Sequence, residues 1–255
     1  LADSLLDDFD SQSLTENLTA GRLDEYLVDL GCWHEPGASI NYWLHRHRIL
    51  DRVVGPGSRN PYHQPSMTTA ECRVAFDKGL HLAEQEAMVG SLWVGVRLVN
   101  PASVIFSAMQ LFLHAGLRLE MLFKDIVPEE RWEGLAYIAE RSVRRHPSSR
   151  DPFNALTFFG GYDLAFAVGV ATGMAAEGRF TLMQGIDGVA TAYLAELLQP
   201  GSSQYITLSS GLPNHWVEES PSTFELPSVF SSSSVREADI QMRLSLFHLH
   251  TALRS

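Results

Sequence analysis

The chain has 255 residues, 45% of them hydrophobic and 19% charged. That is enough apolar material for one large domain or two small ones, and it excludes wholesale disorder and collagen-like or mucin-like character. Thirty acidic residues against 19 basic ones leave a net charge of −11. This argues against a nucleic-acid binder and against a surface held to anionic lipid. Lys78 and Lys124 are the only lysines; every other basic residue is an arginine. Cys32 and Cys72 are too few for a disulfide scaffold or a zinc cluster and read as buried thiols in a reducing compartment, a single disulfide between them being the less favoured alternative. No run of 18 apolar residues exists, so a soluble chain without a membrane span is expected. The opening stretch, Leu1 to Asp10, is acidic and resembles neither a signal peptide nor a transit peptide. Removal of a presequence before Leu1 would leave both the cytoplasm and an organelle matrix, the mitochondrion included, as locations.

Residues 1–22 are polar and weakly patterned and read as an N-terminal arm, with one domain over 23–255. Leu23 to Leu30 fits either a strand or a helix end. Loop signals follow at Gly31, Pro36-Gly37 and from Gly55 to Pro65. Thr68-Thr69-Ala70-Glu71 fits a capping box, which predicts a helix to about Met88, stopped at Gly90. Ser91 to Leu98 is a short apolar run bounded by turn signals and predicts a buried strand. Asn100-Pro101 opens a helix that runs to His114 and ends at Gly116. Leu117 to Phe123 predicts a second strand. Pro128 to Arg145 predicts a helix with Trp132, Leu135, Ile138 and Ala139 on one face. Tyr162 to Ala176 is a small-residue helix ended by Gly178. Phe180 to Met183 is a strand, Asp187 to Leu198 a helix closed by Pro200, and Gln204 to Leu208 another strand. Pro221 to Ser234 reads as a Ser/Pro-rich loop and Val235 to Arg254 as a final helix. Strands alternating with helices predict an α/β fold with a mostly parallel, doubly wound sheet flanked by helices, some of them forming a small helical subdomain. In such a sheet the ligand crevice lies beyond the carboxyl ends of the strands. The loops around Asn100, around Gln184-Gly185 and after Leu208 therefore matter most.

The stretch from Phe159 to Pro200 reads FGGYDLAFAVGVATGMAAEGRFTLMQGIDGVATAYLAELLQP. It resembles the nicotinate-nucleotide–dimethylbenzimidazole phosphoribosyltransferase family, whose members attach a ribose phosphate to the lower base of cobalamin. The shared pattern is a double glycine (Gly160, Gly161), an acidic residue (Asp163), a small-residue helix, a strand, Gly185, an alanine-rich helix and Pro200. Upstream, Pro56-Gly57-Ser58-Arg59-Asn60 and Met67 to Glu71 resemble the family's Gly-Ser/Thr-x-Asn turn and the helix after it. Downstream, Met242-Arg243-Leu244 matches the start of its last motif. The resemblance runs over roughly 27–253 and lacks the family's N-terminal portion.

The motifs that carry the family's chemistry fare differently. Its phosphate cradle, Gly-Glu-Met-Gly-Ile-Gly-Asn-Thr-Thr, corresponds to Val94 through Ala102, where only Asn100 survives. The glutamate is Gly95, two glycines are Arg97 and Val99, and the threonines are Pro101 and Ala102. Side chains now stand where bare backbone would approach a phosphate, and two hydroxyl donors are gone. Arg97 could hold a phosphate itself; the plainer alternative is a structural arginine salt-bridged at a strand end. The family's Gly-x-Gly-Thr-Gly turn falls near Leu122 to Ile126 with no glycine left, and its following lysine near Leu135. Its Asp-Gly is Gln184-Gly185. Of its Ser-His-x-Ser-x-Glu-Pro-Gly-His stretch, Pro213 and His215 remain. The resemblance places the general base at Leu246, and a leucine accepts no proton.

No other constellation replaces these losses. His45 and His47, like His248 and His250, lack a third metal ligand. Ser209-Ser210-Gly211 lacks a nucleophile-elbow context. The expected catalytic set is therefore empty, with no metal and no cofactor. A remnant binding site is expected at Arg97, Asn100, Gly160, Gly161, Asp163, Gln184, Gly185 and His215. The function expected is a non-catalytic homologue kept as a structural or interaction subunit of a larger assembly, homomeric or heteromeric. The alternatives are an active phosphoribosyltransferase of cobalamin nucleotide-loop assembly using nicotinate mononucleotide, and a sensor that binds nucleotide or cobalamin precursor without turnover. Arg97, Val99 and Phe247 are expected to fill the nucleotide volume. The stripe Met242, Leu246, Leu249, Leu253, the arm 1–22 and the segment 221–255 are the expected contact surfaces.

Overall fold

In the computed structural model the described residues are 26–31, 48–98, 100, 102–123, 128–146, 151–210 and 226–230. Helix α1 spans Thr69–Met88 and starts at the capping box expected from the sequence. The Glu71 backbone N–H donates to Thr68 Oγ1 at 3.1 Å, and the Glu71 carboxylate accepts from the Thr68 N–H at 2.6 Å. Arg59 grips the same carboxylate with both guanidinium nitrogens, at 2.7 and 2.9 Å. That charge-assisted pair, first among the causes, holds the Glu71 carboxyl down at about 2. The Gly57-Ser58-Arg59-Asn60 turn is thereby tied to the helix after it.

Four parallel strands form the central sheet: β3 (Trp93–Gly95), β4 (Phe180–Met183), β5 (Ile206–Ser210) and β6 (Ser228–Phe230), side by side in that order. Strands β1 (Tyr26–Asp29) and β2 (Arg48–Asp51) make a separate parallel pair. Val28, Leu30 and Leu50 pack with Val94 and Val96 against Leu82, Phe166, Val170 and Met174. Between β3 and β4 the chain lays down α2 (Ser103–Ala115), α3 (Leu119–Phe123), α4 (Glu129–Arg145), α5 (Pro152–Phe159) and α6 (Tyr162–Ala176). Helix α7 (Gly185–Leu198) alone joins β4 to β5, with a 3-10 turn at Ser202–Tyr205. The α/β architecture is the one expected, a parallel sheet flanked by helices. Helices α3 and α4 pack on α2 through Met109, Leu111, Leu122, Phe123, Ala136 and Ala139, in one cluster with Ile186 and Val189 of α7 and Leu208 of β5.

Helix α6 is buried from Leu164 to Ala175 on every side, as a helix of small and apolar residues must be when it fills an interior. Its glycines face α1. A Cβ on Gly169 would run into the Phe76 carbonyl oxygen, one on Gly79 into that of Phe166, and one on Gly173 would lie 2.7 Å from Ala83 Cβ. The two helix backbones thus approach as closely as they do because no side chain separates them.

Four expectations are corrected. Leu117 to Phe123 is not a strand: Leu119–Phe123 is helical, with Leu119, Met121, Leu122 and Phe123 all buried. Residues apolar on consecutive positions suit a short buried helix as well as a strand, and leucine and methionine favour the helix. Helix α5 was not expected. Its start carries the standard signals, Asp151 accepting from the Asn154 N–H at 2.9 Å and Pro152 at the first turn, but its apolar residues run on into α6. Within the Ser/Pro-rich segment, Ser228–Phe230 is a strand. Ile138 also departs from the face assigned to α4: it is exposed, while Ala136, Ala139 and Ser142 are buried. The arm 1–22, the C-terminal helix and its apolar stripes, Cys32, Val99 and Phe247 lie outside the described residues.

Candidate functional site

Among the described residues three helices begin on the carboxyl side of the sheet: α2 after β3, α7 after β4, and α6, whose far end leads back into β4. Asn100 lies ahead of α2, where its side-chain oxygen accepts from the Ala102 N–H at 3.0 Å. Gly160 closes α5 and Gly161 is the N-cap of α6. They form the junction entering α6, as expected. A Cβ on Gly161 would meet the Asp163 carboxylate and the Phe106 ring, so close approach explains this glycine. Gln184 is the N-cap of α7, and Gly185 after it has a φ of +53°, a left-handed conformation that costs other residues about 1 kcal/mol or more.

Two carboxyl groups among the described residues, Asp163 and Asp187, stand at this end of the sheet. Asp163 stands in the first turn of α6. Burial pushes its carboxyl up, and hydrogen bonds from the Leu164 N–H and from Asn100 offset part of that shift. Its Oδ2 is shut off from solvent and has no hydrogen-bond partner among the described residues. Asp187 stands in the first turn of α7. Ser103 Oγ donates to its Oδ2 at 3.0 Å, and Ser107 Oγ donates to its Oδ1 at 2.6 Å. Both serines are on α2 and fully buried. Burial raises the Asp187 carboxyl to about 6; the two serine bonds act the other way, and the charge of Asp163 adds to the rise.

Of the eight expected residues, the fold brings Asn100, Gly161 and Asp163 together, with Gln184 and Gly185 at the start of the helix that carries Asp187. Arg97 is half-buried just past β3 and is engaged in an interaction of its own. His215 and Leu246 lie outside the described residues. Sequence reasoning missed Asp187, Ser103 and Ser107. The available signal was the pair of serines four apart in an otherwise apolar helix, which places two hydroxyls on one face.

An open hollow of about 370 Å3 lies at the start of α1, lined by Arg59, Thr68, Thr69, Asn154 and Phe158 among others. None of the eight residues expected at the remnant binding site lines it, whereas Arg59, Met67, Thr68 and Thr69 belong to the turn and helix start that resemble the family's. Among the described residues no three His, Cys, Asp or Glu side chains stand together as a metal-ligand set, and no helix is long and apolar enough to cross a membrane.

A family model described as DBI_PRT phosphoribosyltransferase matches residues 21–215. A nicotinate-nucleotide–dimethylbenzimidazole phosphoribosyltransferase from Geobacter metallireducens is 26% identical over 195 residues, which is 72% of this chain and 51% of the relative. One from Geotalea uraniireducens is 29% identical over 168 residues, 62% of this chain and 46% of the relative. The chain thus spans about half the length of the curated relatives it matches. Two solved structures from Thermus thermophilus share the fold. The nicotinate-nucleotide–dimethylbenzimidazole phosphoribosyltransferase superposes with a TM-score of 0.63 at 21% identity, covering 88% of this chain and 67% of that one. CobT superposes with 0.67 at 20% identity, covering 93% and 76%. The expected resemblance is thereby a relationship: the chain belongs to the nicotinate-nucleotide–dimethylbenzimidazole phosphoribosyltransferase family.

Proposed function

We propose that this chain is a non-catalytic member of its family, retained as a structural or interaction subunit of a protein assembly. The observation that carries the reading is the Asp187 carboxylate lying along the first two turns of α2, bonded to Ser103 and Ser107. A helix N-terminus on the carboxyl side of a parallel sheet is where a phosphate would bind. Here that ground faces an anion of the chain itself, with Asp163 as a second carboxylate close enough to raise it. A nucleotide phosphate would enter against two buried carboxyl groups. The replacement of the family's cradle glycines by Arg97 and Val99, and of its general base by Leu246, points the same way.

The test is calorimetric titration of the full chain with nicotinate mononucleotide, followed by a product assay with dimethylbenzimidazole. Binding weaker than millimolar and no product are expected. Micromolar binding without product would replace this reading by a sensor, and product formation would replace it by an enzyme.

A further inference from the structure

One surface stands out from the rest of this acidic chain. Helix α4 buries Ala136, Ala139 and Ser142, and its opposite face carries Tyr137, Ile138, Arg141, Arg144 and Arg145. Tyr137 is 61% exposed and Ile138 44%. Tyr62, from the loop ahead of α1, lies against this face. The Arg145 guanidinium carbon sits 4.8 Å from the Tyr62 ring centroid, and that of Arg141 sits 6.0 Å from the rings of both Tyr62 and Tyr137. Arg141 Nη1 donates to the Tyr137 hydroxyl at 2.9 Å, and Arg145 Nη1 donates to the Tyr62 carbonyl at 2.7 Å. Arg144 pairs with Glu140 one turn back at 3.1 Å.

Ring contacts and one hydrogen bond each tie the Arg141 and Arg145 guanidinium groups to the tyrosines. A guanidinium has five donors in a rigid fork suited to carboxylates. Restraining the group beforehand lowers the ordering cost of binding. Arginine and tyrosine beside an exposed aliphatic residue is also the composition of protein-interface anchors. We propose that this face of α4, with Tyr62, binds a short carboxylate-rich segment of a partner protein that carries an apolar residue among its acids. Charge complementarity selects that occupant. Three arginines crowd into five residues of a chain whose net charge is −11, and they span only about 6 Å along the helix at 1.5 Å per residue. A long polyphosphate would overrun the patch and meet the acidic remainder, whereas a short acidic segment would not, and Ile138 offers an apolar contact that a phosphate backbone does not use. The proposal is independent of whether the fold is catalytic.

The probe is a fluorescein-labelled dodecapeptide of glutamates with one central leucine, titrated with the full chain and read by fluorescence anisotropy at low and at physiological ionic strength. Saturable binding is expected, weakened by about tenfold or more in the double variant Arg141→Glu, Arg145→Glu and weakened further by salt. Arg144→Glu, at a side chain 79% exposed, is the second variant should the double one fail to fold; it is expected to weaken binding by a smaller factor. Ile138→Asp is expected to weaken the leucine peptide and to leave an all-glutamate peptide nearly unchanged. Absence of peptide binding, equal binding by the charge-reversed variants, or tighter binding of a single-stranded oligonucleotide of equal charge would each overturn the proposal.

Discussion

Asp187 is the residue whose surroundings contradict its chemistry most plainly. It is an acid held among buried serines with a second acid nearby. Its carboxyl is raised from 3.8 to about 6, burial being the first cause. A group whose folded pKa is raised this way binds its proton more tightly in the native state. Its penalty is absent below about pH 4, grows as pH rises through about 6, and is complete above that. Two pKa units correspond to about 3 kcal/mol at 1.36 kcal/mol per unit. Asp187→Asn keeps the shape and removes the charge. It should stabilise the chain by about 2 kcal/mol near pH 8 and by nearly nothing near pH 4, read by denaturant unfolding at both. An equal effect at the two pH values would mean that charge is not the cause. This residue was not legible in the sequence, because an aspartate in a helix's first turn ordinarily reads as a solvated charge matching the dipole. Only the packing of α2 against α7 buries it. Asp163 was legible because it sits inside a stretch whose order and spacing repeat the family's, and Asn100 because it is the one residue of the family's cradle that survives.

At the scale of elements, the contact between α1 and α6 rests on glycines that meet backbone, which cannot move aside as a side chain can. Gly169→Ala should cost about 3 kcal/mol or more, since the added carbon collides with the Phe76 carbonyl. Gly134 makes the comparison: it lies mid-way along α4, exposed, and an added Cβ meets nothing within 4 Å. Gly134→Ala should therefore stabilise by about 0.5–1 kcal/mol through helix propensity. Thermal unfolding of the two variants should move in opposite directions. The limits of α6 and of β4 agree with the sequence reading to the residue because each is bounded by its own stop signal, Gly161 and Gly178 for the helix and Gln184-Gly185 for the strand. Helix α3 was misread and α5 overlooked for a shared reason. Both are short apolar runs, too brief for their period to separate helix from strand, or one helix from the next.

At the scale of the molecule, the parallel α/β plan followed from the alternation of elements, whereas the two-strand partnership of β1 and β2 did not. Nothing in 26–29 or 48–51 announces its mate, because strand pairing is fixed by what covers the pair, here Leu82, Phe166 and their neighbours. The order of the central sheet also has a kinetic meaning. Strands β4 and β5 are joined by α7 alone, while β3 reaches β4 only after five helices have been laid down. Closing the longer excursion costs more chain entropy before any contact rewards it. The β4–α7–β5 unit with α6 should therefore organise early, and Trp93, stacked on Phe180 at 4.6 Å, should dock late. Ala190→Gly, in buried α7, should mainly slow refolding, and Trp93→Ala should mainly speed unfolding. Stopped-flow folding and unfolding arms would separate the two. The order of assembly would then leave the β3 edge as the first part of the sheet to open, so that the working lifetime of the native chain is set at the strand that closed it.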